Sequence, residues 1–172
     1  NDFDLSVDDW VFVNPSVGGN HTAQVCHNDT SIIQNAITSN SAVGKKSIVL
    51  NAKTYNSSLL SIPNNFGLVG TSYITKIKKL PWTGGEASAL NGKFIVAQNQ
   101  TGATSLSIVG VDIDGVAPNQ FLWPDSTTVN RNYLLDFGIN CNSLLLDRVR
   151  ITNAPAGGVY ATSPVELKIN TS

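Results

Sequence analysis

Two stretches of this chain, SLSIVGVDIDG at 105–115 and SLLLDRVRITN at 143–153, spell one pattern twice. Aligned without a gap, they place Leu106 on Leu144, Ile108 on Leu146, Val111 on Val149 and Ile113 on Ile151. Within each stretch apolar and polar residues alternate on either side of a short break, which is the period of a strand and not of a helix. A single copy of so short a unit cannot cover its own apolar side, and stacking on the next copy does so. The alignment therefore predicts neighbouring coils with these eight residues buried in register, about 4.8 Å apart. Asp112 and Asp114 on one coil, and Arg148 and Arg150 on the other, then project outward.

Upstream the writing changes character. In NDTSIIQNAITSN at 28–40, Asn28 or Asp29 can cap a short helix whose Ile32, Ile33, Ala36 and Ile37 fall on one face. After it come short β-branched runs, Ile48 to Leu50, then Phe66, Leu68 and Val69, then Ile74 and Ile77, separated by Asn, Gly, Ser and Pro. Strands and tight turns are spelled this way. Trp10 to Val13 begin a first strand after an acidic, polar linker at 1–10. Tyr133 to Ile139 form a later strand, and Val159–Tyr160 and the alternating Val165, Leu167 and Ile169 close the visible pattern.

In this order the features resemble the start of the right-handed parallel β-helix of the pectate-lyase-like superfamily, and phage tailspikes in particular. That family opens with a strand and a turn, a polar D-D-T segment, an I-Q-x-A-I helix, a V-Y-L-P-A-G-T-Y strand pair and a G-V-x-L-x-G coil. Here VFVNPSVGGN at 11–20, NDTSIIQNAI at 28–37, SIVLNAKTY at 47–55 and NNFGLVGTS at 64–72 stand in those places. HTAQVCH at 21–27 is an insertion, and Asn51-Ala52-Lys53 replaces Pro-Ala-Gly. The resemblance implies an all-β fold over 11–172, a right-handed parallel β-helix with a short N-terminal capping helix, forming the first coils of a longer solenoid.

Composition narrows the partners. The formal charge of −1 and the 13% content of charged residues provide no basic field for a nucleic acid or an anionic membrane. Membrane insertion is not expected, since no apolar run approaches the roughly 20 residues of a span. Neither Cys26 nor Cys141 has a metal-ligand partner at zinc spacing, and His21 and His27 are the two histidines, so no metal and no cofactor is expected. The chain contains no Met, which points to a processed chain or an excised piece.

Two groups of residues carry the chemistry. Asp112 and Asp114, two apart on one strand, face the same way at roughly 6–7 Å, a separation that glycoside hydrolysis uses for its paired carboxylates. The same residues also read as half of a structural charge ladder with the arginines. The insertion VAPNQFLWPDSTTVNRN at 116–132 supplies Phe121 and Trp123, whose rings can stack on sugars, and Asp125 and Arg131, which can meet hydroxyls. Those aromatics, and Trp82, can equally fold back on the coils or line a subunit interface.

The resemblance implies a phage tailspike: a virion tail protein, extracellular, homotrimeric, neighbouring other tail proteins, that binds a bacterial surface polysaccharide and in some members depolymerises it. The alternatives are a secreted carbohydrate-active enzyme on the same fold, whether polysaccharide lyase, epimerase or hydrolase, and a non-enzymatic virion adhesin. The residues favour saccharide binding without cleavage by these coils alone.

Overall fold

The computed structural model describes residues 10–13, 21–24, 27–80, 93–99, 104–115, 133–138, 141–154, 157–162 and 166–170. Among them are fifteen strands and one helix. The first two, β1 (Trp10–Val13) and β2 (His21–Gln24), pair antiparallel, so the segment expected as an insertion supplies a strand.

The helix α1 spans Thr30–Ala42. Asn28 forms the local turn at its start, its Oδ1 accepting from the Thr30 N–H at 3.0 Å and from the Thr30 hydroxyl. Asp29 occupies the cap position but turns its carboxylate elsewhere, accepting from the Asn56 N–H at 2.9 Å. Ile33 and Ile37 are buried and Ala36 packs against the core. Ile32, expected on that face, is 68% exposed. The helix packs on the strand edges by one face, and a residue 100° around the axis from Ile33 misses them.

The remaining strands are β3 (Ser47–Val49), β4 (Thr54–Ser57), β5 (Leu60–Ile62), β6 (Phe66–Val69), β7 (Lys76–Lys79), β8 (Ile95–Ala97), β9 (Thr104–Val109), β10 (Asp112–Asp114), β11 (Tyr133–Asp136), β12 (Cys141–Asp147), β13 (Arg150–Thr152), β14 (Gly157–Tyr160) and β15 (Glu166–Asn170). They form three parallel sheets, ordered β15-β12-β9-β6-β3, β13-β10-β7-β4 and β14-β11-β8-β5. Each passage of the chain thus lays one strand on each sheet before returning to the first.

Register repeats as well. The inward position of the first sheet runs Ile48, Leu68, Ile108 and Leu146, with Ile169 next in register but 59% exposed on β15, and that of the second runs Tyr55, Ile77, Ile113, Ile151. The third stacks Leu60, Ile95, Leu135 and Val159. All three sheets and α1 contribute to one apolar core. The alignment of 105–115 with 143–153 holds in the ladder: Leu106 pairs with Leu144, Ile108 with Leu146 and Ile113 with Ile151. Val149 and Ile151, expected buried, are only partly so. They lie on the outermost coil, where among the described residues no further strand covers β13.

Ile74 also departs from expectation. It sits in a turn at 59% exposure, while Ile77 starts the buried register. The turn is closed by its own bonds: the Ile74 and Thr75 N–H groups both donate to the Thr71 carbonyl, and the Thr75 hydroxyl accepts from the Thr71 N–H.

Candidate functional site

On the outer face of the second sheet, register alone stacks Thr54, Lys76, Asp112 and Arg150. Asp112 is only 1% exposed, lying beneath the two cations. Arg150 donates from Nε to Asp112 Oδ1 at 2.8 Å and from its terminal nitrogen to Oδ2, and Lys76 Nζ stands 3.9 Å from the same Oδ2. The carboxylate in turn raises the pKa of Arg150, chiefly through that hydrogen bond. Asp114 accepts from Asn153 Nδ2 at 2.8 Å.

The expected ladder of two aspartates against two arginines is therefore half formed. Arg148 faces neither acid of β10 and instead pairs with Asp147, its chain neighbour, at 3.0 Å. The reason is backbone: Arg148 follows β12 at the corner that Gly110 occupies after β9, and both take positive φ, 51° and 65°. A residue in that corner has left the strand, so strand alternation no longer aims its side chain. Asp112, expected to project into solvent, is instead roofed by Arg150. Both of its oxygens face cations, Oδ1 the Arg150 Nε and Oδ2 the Arg150 terminal nitrogen and Lys76.

A second site lies on the outer face of the first sheet. An open groove of about 460 Å³ is lined by Lys46, Asn65, Ser105, Ser107, Ser143 and Leu145, with Phe66 and Leu106 beneath. Its floor crosses successive strands, since Gly67, Ser107 and Leu145 are register partners, as are Ser105 and Ser143. Gly67 is what lets Ser107 sit down: a Cβ there would meet Ser107 Oγ at 2.1 Å. Turn 64–65 fixes one wall, Asn64 Oδ1 accepting from the Ser105 N–H at 2.8 Å while Asn65 takes a φ of 56°. At the far side the Ser143 hydroxyl lies 3.5 Å from Glu166, whose pKa is lowered by its bond to Lys168.

Hydroxyls and an amide both donate and accept, and Lys46 donates, so this surface suits a ligand rich in hydroxyl groups. None of its lining residues is a carboxylate. The groove was not singled out from sequence, because small polar residues at outward strand positions look like ordinary solvated surface. The signal available was SLS at 105–107 set against Gly67, which marks a strand face kept low.

Phe121, Trp123, Asp125 and Arg131, like Trp82, lie outside the described residues. Cys141 is buried in the core, its thiol 3.6 Å from the Ser143 carbonyl. Among the described residues no cluster of His, Cys, Asp and Glu could hold a metal ion, and no helix is long and apolar enough to cross a membrane. No family model, curated protein or solved structure matches this chain.

Proposed function

We propose that the chain is a right-handed parallel β-helix of tailspike type and that its groove binds a bacterial surface polysaccharide. The observation that carries this reading is the groove itself, a hydroxyl-lined trough that spans strands from successive coils and so suits an extended ligand lying across the stack. Supporting it, three parallel sheets visited in strict rotation are the strand order a β-helix requires. Right-handedness follows the general hand of parallel crossover connections.

Under this reading the protein works outside the cell, on a virion tail, as a homotrimer alongside other tail proteins. The coils bind without cleaving. The groove lining offers no acid, and Asp112 is enclosed by Arg150 and Lys76.

The test is binding of capsular and lipopolysaccharide glycans to the intact chain and to Ser105→Tyr, which fills the groove with a ring. The parent retains a glycan, and the variant loses it with an unchanged melting temperature. Equal binding by both would remove the groove from the function. Release of new reducing ends by the parent would show that these coils cleave as well as bind, and sedimentation as a monomer would count against the tailspike assembly.

A further inference from the structure

The Arg150 cluster has an exposed aromatic partner. Tyr73 is 48% exposed, and its ring centroid lies 5.7 Å from the guanidinium carbon of Arg150, itself 53% exposed at the side chain. Tyr73 holds a φ of 61°, a conformation that a bulky residue adopts only under constraint. The constraint is visible. Thr75 is fully buried; its hydroxyl accepts from the Thr71 N–H at 2.9 Å and donates to the Asn51 carbonyl at 3.0 Å, tying the turn to the preceding coil. Backbone strain held in place by a surrounding network is concentrated at binding and active sites.

Charge and geometry say what a site here would bind. A guanidinium carries five N–H donors, and Asp112 engages Nε and one terminal nitrogen, so donors remain for an outside acceptor while the fork itself is fixed in orientation. Lys76 faces the same Asp112 oxygen. The row therefore holds two cations over one enclosed carboxylate and presents net positive charge, with the Arg150 guanidinium over the Tyr73 ring.

We propose that Tyr73, Arg150 and Lys76 form an anion-binding platform, distinct from the serine groove, for a sugar bearing an oxyanion substituent. The ring takes the C–H face of the sugar, and the two cations take the carboxylate or phosphate it carries. The choice of a sugar rests on the saccharide reading above; the choice of an anion rests on this cluster alone.

The experiment is an NMR titration of the intact chain with glucuronate, glucose 6-phosphate and glucose, and with acetate and inorganic phosphate as bare anions. Both acidic sugars shift the Arg150 Nε–H and Tyr73 ring signals, the tighter one distinguishing carboxylate from phosphate, while glucose does not. Equal shifts with glucose overturn the charge argument, and bare anions binding as tightly as the sugars overturn the role of the ring.

Arg150→Gln takes from Asp112 the cation that pairs with both of its oxygens and is prone to unfold, so Tyr73→Asn is the decisive variant. Asn accepts positive φ, so the fold is kept or strengthened while affinity for the acidic sugars falls roughly tenfold, as loss of a stacked ring does. Undiminished affinity in Tyr73→Asn overturns the proposal. Ser105→Tyr leaves these shifts unchanged, so failure of the groove and failure of the platform are read separately.

Discussion

At the scale of single residues, equivalent sequence positions have unequal surroundings. Arg148 and Arg150 are two apart and look alike in the sequence, yet one sits in a left-handed corner and the other roofs a buried acid. Arg148→Ala should scarcely move the thermal midpoint, as for exposed pairs generally. Arg150→Ala should lower it clearly more, because Asp112 is left enclosed with only the longer contact to Lys76. Thermal melts of both variants check the order, and equal midpoints would mean that Asp112 is not sealed. Gly67→Ala should cost about 1–3 kcal/mol in a denaturant titration, since the added methyl meets both the hydroxyl and the carbonyl of Ser107. The gapless alignment already set Arg150 against Asp112, but nothing in SLSIVGVDIDG says that the arginine will seal that acid from water or that Arg148 will turn away at a left-handed corner.

At the scale of elements, α1 does more than cover an apolar end. The first strand of a sheet has one side of its backbone unpaired, and here side chains take the place of the missing strand. Gln34 donates from Nε2 to the Ser61 carbonyl at 3.0 Å and accepts from the Ser61 N–H at 2.9 Å, closing the edge of β5 like a single ladder rung. Asp29 does the same for Asn56 of β4, its N–H donating to the Asn56 carbonyl at 2.7 Å and its carboxylate accepting the Asn56 N–H. Thr30 accepts from the Ser58 N–H at 2.8 Å. Gln34→Leu should therefore cost about 1–3 kcal/mol, the penalty for stranding part-buried backbone groups. Amide exchange at Ser61 should quicken in the same variant. The helix, its apolar pair Ile33 and Ile37, and its place before the strands were legible from spacing. The role of Gln34 was not, because a polar residue on a helix gives no sign of which strand edge it will meet.

At the scale of the whole molecule, the repeat was the most readable feature, since apolar alternation and a gapless alignment together determine which residues share a column. Leu146→Asp should unfold the coils on both sides of β12 in one transition, as it sets a charge among residues drawn from all three sheets. Melting like the parent would contradict the register. A second whole-molecule effect follows pH. Lys79 is buried in β7 and desolvation lowers its pKa below the usual 10.5. Below the lowered value the lysine is charged in both the folded and unfolded chains, and the burial penalty is fully present. Between that value and 10.5 the folded protein has shed its proton while the unfolded chain still holds one, so stability rises with pH. The stability of Lys79→Met relative to the parent should accordingly fall as pH is raised through that window in urea titrations.

The closed edge at α1 also bears on time. During synthesis the helix is made before the strands it seals, and each later strand pairs with one laid down a single circuit earlier. Separation along the chain between ladder partners is thus set by the length of one circuit and not by the length of the protein. A chain built this way can add circuits without lengthening the search that any one strand makes for its partner, and an inserted loop delays only the circuit that contains it.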